Sequence, residues 1–300
     1  MTFARVSLLG ASNATMARLR AANGRLDQAN EIASSGKAYV KPSDNTAAAS
    51  RAAYVQNELD QLGTYEGAIN DAKGRLNEAD TQMSQAMDLY QRITELTTQA
   101  ANSVSTPDSR AAINQEIQQI KGELVSVANA TYLGKPIFGG LNSANAVTYD
   151  SSTSTYQFSG ATTDALNRRI GPSEVVQTNV TASQIFSNGT NNIFATLDGL
   201  SASLTADDTA GIQSALDTVN SLRNTLAGGQ AIIGAVSNRV DTATSRNSAS
   251  KLALTSELSN VQDVDIAQAI TSQTQLSTAY QAALAVTAKA DQRNLLDWLH

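Results

Sequence analysis

The residues most able to do chemistry are few. Gly36 followed by Lys37 suggests a phosphate cradle. Such a loop wraps phosphates in backbone amides, which needs a glycine five positions before Gly36, and it holds magnesium with a Ser or Thr just after the lysine. Glu31 and Ala38 stand there instead, so no nucleotide site follows. Asp263 and Asp265 could be paired acids or metal ligands, but a hard cation wants several converging oxygens and the neighbouring residues supply none. Their placement before an apolar run, with Gln268 three residues after Asp265, predicts a helix N-cap with a partial capping box. Asp207 and Asp208 read likewise, as negative charge at the start of a helix near Thr209. Gly228, Gly229 and Gly234 are spaced wrongly for a dinucleotide fingerprint and no strand precedes them, so they mark a soft point or a close approach in a long helix.

The absence of cysteine removes disulfides, thiolate metal sites and thiol catalysis, and the only histidine is His300, the last residue. A net charge of -6 argues against a phosphate-binding surface, because nucleic-acid affinity rests on clustered Lys and Arg. No run approaches the roughly 18 apolar residues that cross a bilayer. The opening residues lack the apolar stretch and cleavage site of a secretory signal. No catalytic, metal-binding or cofactor-binding residue is expected, nor nucleic acid or membrane insertion.

What remains is a reading of elements. Gly36 suits the left-handed residue that closes a helix begun near Leu8, and Ser43 and Asp44 offer oxygens to the first amides of the next one. From Val55 a 3-4 repeat carries Val55, Leu62, Ile69, Leu76, Met83 and Tyr90 at one seam position and Tyr65, Ala72, Ala79, Ala86, Ile93 and Ala100 at the other. A repeat so sustained predicts a coiled-coil-like helix, about 70 Å long at ~1.5 Å per residue. Pro107, capped by Thr106, opens a second helix whose face is Ile113, Ile117, Ile120, Leu124 and Val127. Alternation at Val147, Tyr149, Tyr156 and Phe158 predicts a hairpin, and 175–180 a further strand. Helical spacing resumes near Asn191 and is strong from Ile212 to Ala243.

The two ends differ from this. Leu8, Ser12, Thr15, Leu19, Ala22, Leu26, Ala29 and Ala33 keep a 3-4 spacing, as do Ile266, Ala269, Gln273, Leu276, Tyr280, Ala283, Thr287 and Ala290. Both stripes are small and partly polar, and between Ile266 and Ala290 the only charge is Lys289. A solvent-facing helix normally carries far more charge. The pattern predicts terminal helices that other protein chains surround, with a weak intramolecular pair as the simpler alternative. The fold class is mainly α: a long antiparallel coiled-coil-like helical stem with a small β-rich insertion and paired N- and C-terminal helices. The expected division is 1–42 with 255–300 for the terminal helices, 43–135 with 191–254 for the stem, and 136–190 for the insertion.

Four blocks then resemble the bacterial flagellin superfamily, in order and nearly from end to end. They are Ser35-Gly36-Lys37 with Pro42-Ser43-Asp44-Asn45, Gln91 to Leu96 with Gln99 to Asn102, Gly234 to Val240, and Val261 to Ala267. The proline before Ser43, Lys135 to Gly140, the tail from Gln281 to Ala288 and Leu295 to Leu299 look more like the superfamily's hook-filament junction branch than like a filament subunit. Ala38, Tyr39 and Asn45 depart from the family pattern. A flagellin, or an unrelated soluble helical scaffold, stays open as an alternative.

The resemblance implies a structural adaptor that leaves the cell by the flagellar export route without a cleaved signal, attended by a cytoplasmic export chaperone. It implies docking outside the cell, as a ring of identical subunits, between hook-associated protein 1 and flagellin. The large apolar residues of the end helices are the expected assembly or chaperone interface: Leu8, Leu19, Leu26, Ile266, Ile270, Leu276, Tyr280, Leu284, Leu295, Leu296 and Trp298.

Overall fold

The structure, a computed structural model, describes residues 2–102, 106–141, 144–161 and 163–296, and within these the side chains outside 2–9, 11, 12 and 290–296. In chain order the elements are α1 (Thr2–Ser35), α2 (Thr46–Ala101), α3 (Pro107–Ala128), β1 (Thr131–Tyr132), β2 (Lys135–Pro136), β3 (Val147–Asp150) and β4 (Thr155–Phe158). There follow β5 (Asn167–Arg169), β6 (Val175–Gln177), α4 (Ala182–Ile185), α5 (Ile193–Thr205), α6 (Thr209–Gln262) and α7 (Ile266–Leu296). The chain forms two compact units, residues 1–61 with 250–300 and residues 62–249, and the divide falls inside α2 and inside α6.

Unit 62–249 holds most of the buried core. The 3-4 repeat of α2 faces inward as its spacing requires: Leu62 and Tyr65 are half-buried, and the other ten seam residues are buried. All five apolar residues of the α3 face are buried, and the helix starts where Pro107 and Thr106 predict, with the Ser109 amide donating to Thr106 Oγ1 at 3.3 Å. Arg110 Nε donates to the Ala100 carbonyl at 3.1 Å and the same guanidinium pairs with Asp207, so one buried cation serves the last turn of α2 and the turn before α6. Asp208 Oδ1 accepts the Ala210 amide at 3.1 Å, which is the acidic helix start expected there.

Helices α2 and α6 run antiparallel. Asn247 Nδ2 donates to the Leu62 carbonyl at 3.2 Å, Lys73 pairs with Asp241 at 2.8 Å, and Gln230 Nε2 reaches Asp80 at 3.3 Å and Ser84 at 3.2 Å. Gly229 explains the glycine cluster. A Cβ there would stand 2.5 Å from Ile185 Cγ2 and 3.0 Å from Met83 Cε, whereas Gly228 and Gly234 face open space. The close approach, not a soft point, is what α6 needs, and it remains helical throughout.

Tyr90 lies at the centre of this seam, fully buried, and its hydroxyl finds no hydrogen-bond partner among the described residues. Burial alone pushes its pKa well above the ordinary tyrosine value. A buried hydroxyl without a partner carries a desolvation penalty of about 1–3 kcal/mol, and removing it leaves the ring packing intact. Tyr90→Phe is therefore expected to stabilise the protein, by about 1 kcal/mol in urea unfolding. A loss of stability would show that the hydroxyl has a partner in solution.

Among the described residues the β structure is three separate antiparallel hairpins rather than one sheet. The β3-β4 hairpin has the expected alternation, with Val147 opposite Phe158 and Tyr149 opposite Tyr156. Strand β6 lies within the expected 175–180 stretch and pairs with β5. The hairpins share an aromatic cluster with the helices: Phe194 of α5 lies 5.2 Å from Tyr156, 6.3 Å from Phe158 and 5.8 Å from Phe186 between ring centroids. Phe186 meets Phe138 edge-on at 6.1 Å. Around the rim, Asp198 of α5 accepts from Lys121 of α3 at 2.5 Å and from the Tyr156 hydroxyl at 3.0 Å. Partial burial opposes the Lys121 charge, but Asp198 outweighs it and raises the lysine's pKa.

Candidate assembly surface

Unit 1–61 with 250–300 is built around two helix breaks that complete each other. At the first, α1 ends on Gly36 at φ 68°, whose amide reaches back to the Ile32 carbonyl at 2.9 Å. At the second, α6 gives way to α7 through Asp263, Val264 and Asp265. The Ala38 amide donates to the Gln262 carbonyl at 2.8 Å and the Val264 amide to the Gly36 carbonyl at 3.0 Å, an antiparallel bridge of Lys37 with Asp263. Backbone groups that both helix ends would leave unpaired are thus satisfied across the gap. Asp265 Oδ1 accepts the amides of Ala267 at 2.9 Å and Gln268 at 3.3 Å, the predicted N-cap of α7. Asp263 instead accepts from the Ser259 hydroxyl at 2.5 Å.

One expectation at this joint needs correcting. Ser43 and Asp44 were to cap α2, but Asn45 does so, its Oδ1 accepting the Ala48 amide at 3.0 Å. Asp44 turns back to the Lys41 amide at 2.9 Å and closes the turn around Pro42. The helix starts one residue later than expected because Asp44 is already engaged.

The left-handed backbone at Gly36 makes a prediction. A Cβ there meets nothing within 4 Å, so the effect of Gly36→Ala is conformational, about 1–2 kcal/mol for forcing an L-residue into that region. The Ala38 and Val264 amides should then exchange with solvent roughly tenfold faster. Unchanged exchange at both would mean that the bridge does not depend on the turn.

Helices α1 and α7 pack against each other, with Gln273 Nε2 donating to Asn30 Oδ1 at 2.9 Å across the pair. Leu19, Leu26, Leu276 and Tyr280 lie half-buried, and along the described stripes only Ala29 and Ala269 are buried. Met16, Leu19, Arg20, Asn23 and Tyr280 leave a groove of about 270 Å³ in the pair. The other expected residues lie differently. Ile266, Ile270 and Leu284 are 55%, 52% and 41% exposed. Ile266 and Leu284, eighteen residues or five turns apart, share one line along α7, and Ile270 stands about 40° from it. They form an apolar margin beside the seam which α1 does not cover. Leu8, Leu295 and Leu296 fall in α1 and α7 but their side chains lie outside the described residues, and Trp298 lies outside them altogether. Met16 and Val286, 47% and 68% exposed, were not among the expected residues, although like Ile270 and Leu284 they are large apolar residues off the 3-4 stripes. The signal that could have found them is that a large apolar residue off the stripe has no partner inside the pair.

Among the described residues no cluster of His, Cys, Asp and Glu could hold a metal ion. No described helix is long and apolar enough to cross a membrane. The unit's chemistry is that of a surface. A family model described as the bacterial flagellin N-terminal helical region matches residues 6–143, and the bacterial flagellin C-terminal helical region matches residues 216–299. The two meet α1 to α3 and α6 to α7, the elements described above, and together span nearly three quarters of the chain.

The chain belongs to the bacterial flagellin superfamily.

As a member, it is a structural component of the flagellum and not an enzyme. Flagellar hook-associated protein 3 of Escherichia coli is similar, 28% identical over 84% of this chain and 86% of that protein. The flagellin of Bacillus subtilis is 25% identical over 93% of each. In fold, this superfamily member is similar to a flagellar hook-associated protein from Vibrio parahaemolyticus, at a TM-score of 0.68 and 19% identity, covering 73% of this chain and all of that one. The likenesses thus reach both a hook-associated protein and a filament subunit within the superfamily.

Proposed function

We propose that this protein joins the flagellar hook to the filament, docking as a ring of identical subunits between hook-associated protein 1 and flagellin. The observation that carries the reading is the half-buried α1-α7 pair with its uncovered apolar margin at Ile266, Ile270 and Leu284. A helix pair on which, among the described stripe residues, only Ala29 and Ala269 are buried gains most of its apolar burial from neighbours. The similarity to hook-associated protein 3 of Escherichia coli supports the junction over the filament as the place where those neighbours are found. Before export, the same α7 face is what a cytoplasmic chaperone would cover. The protein then works outside the cell, delivered without cleavage of a signal segment.

Immunogold electron microscopy tests the position. The expected result is one labelled band at the hook-filament boundary, with a null strain that releases flagellin unattached. Label along the whole filament, in a null strain that lacks filaments, would make the protein a filament subunit instead.

A further inference from the structure

A second feature lies in unit 62–249. A cavity of about 220 Å³ opens between α2, the β1-β2 hairpin and the start of β5, and its wall includes Asp71, Arg75, Lys135, Arg168 and the two leucines Leu133 and Leu141. Three of these are cations and one is an acid. On a protein whose net charge is -6, that local excess is against the trend. Asp71 is already engaged, its Oδ2 2.7 Å from Arg168 Nε. Asp164, behind Gly140, accepts the amides of Leu141 at 3.4 Å and Ala161 at 3.2 Å.

Arg75 is the decisive residue. It is only 6% exposed, and its terminal nitrogen donates to the carbonyls of Pro136 at 3.0 Å and Ile137 at 2.7 Å, holding the hairpin to α2. Its Nε is buried and finds no acceptor among the described residues. Burial lowers the arginine's pKa, Asp71 opposes that shift, and Arg168 adds to it. The buried guanidinium keeps one donor unbonded, and the nearby Asp71 carboxylate is bonded to Arg168 instead, so a second anionic acceptor would complete the group.

The cavity's size limits what that acceptor can be. At ~30 Å³ per water-sized group it has room for about seven, enough for a carboxylate and its short stem and too few for a nucleotide. Its rim limits the source. Leu133 is 80% exposed and Leu141 62%, and Leu133 is held at φ 50°, a conformation that a bulky side chain rarely adopts. Exposed leucines flanking a cationic recess match an acidic side chain set in apolar surroundings on another protein, rather than a free, fully hydrated anion. We infer that the Arg75 cavity is a docking socket for an Asp or Glu side chain of a protein neighbour.

The test uses the full chain with ¹⁵N-labelled arginine and follows the Arg75 Nε-Hε signal, assigned with Arg75→Lys. Acetate at constant ionic strength should shift it saturably and acetamide should not. Lys135→Gln and Arg168→Gln, whose side chains are more exposed and whose loss leaves the Arg75 bonds to the hairpin in place, should each weaken acetate binding about three- to tenfold. Acetyl-Leu-Glu-Leu-amide should bind at least roughly tenfold tighter than acetate, and its Gln counterpart should not bind. Equal shifts with acetate and acetamide, or no effect of either substitution, would overturn the socket. A glutamyl peptide no tighter than acetate would overturn the protein source. No filament is needed, so failure here leaves the junction reading standing.

Discussion

Phe194→Ala is expected to lower the stability of the unit spanning 62–249 by about 3–5 kcal/mol, the range for emptying an aromatic site in a packed core. The residue is fully buried and touches the three rings that tie β4 and the segment before α5 to the helices. Its neighbours cannot easily close the gap. Tyr156 is held at its hydroxyl by Asp198, and Phe186 is fixed both by its edge contact with Phe138 and by the Ile193 amide donating to its carbonyl at 3.0 Å. Urea unfolding followed by near-ultraviolet circular dichroism measures the loss, and Phe194→Leu, which keeps much of the apolar volume, should recover more than half of it. A change under about 1 kcal/mol for the alanine variant would mean that the aromatic cluster is not what joins hairpins to helices.

That cluster also shows where the sequence stops being legible. Helices α2, α3 and α6 were readable because a 3-4 repeat is a one-dimensional signal: Ile69 and Leu76 lie on one face whatever they pack against. The β3-β4 hairpin was readable for the same reason at period two. Strands β1 and β2 have two residues each, too short for any period to register, and α4 has four. Phe138 follows β2, Phe186 follows α4 and Phe194 opens α5, and nothing in the spacing says that they meet. The glycine at 229 was visible as a glycine, yet its purpose depends on Ile185, more than forty residues away.

The candidate surface divides in the same way. Leu19, Leu26, Leu276 and Tyr280 fall on the stripes and turn out to form the seam between α1 and α7. Ile266 opens a stripe while Ile270 and Leu284 stand beside it, and only the packed pair shows all three as its uncovered margin. The joint at Gly36 was half legible. The helix stop could be read from a glycine, but its partner at Gln262 to Val264 is a tertiary contact between distant parts of the chain.

The margin makes the strongest functional prediction. Ile270→Asp combined with Leu284→Asp places two carboxylates on residues that are 52% and 41% exposed in the single chain. Each keeps access to water there, so the thermal unfolding of the isolated protein should change by no more than about 0.5 kcal/mol per site. In an assembly that covers the margin, each carboxylate loses that water without gaining a partner, since the only charge from Ile266 to Ala290 is Lys289. The effective penalty is then several kcal/mol per ion, and two of them should weaken docking by about a thousandfold or more. Cells carrying the double variant should shed their filaments and fail to swim. Val175→Asp, an added charge on β6 at a residue 48% exposed, serves as the control and should leave motility unchanged. Normal filaments on cells expressing the double variant would remove the margin from the docking surface, and with it the reason for reading the α1-α7 pair as unfinished until neighbours cover it.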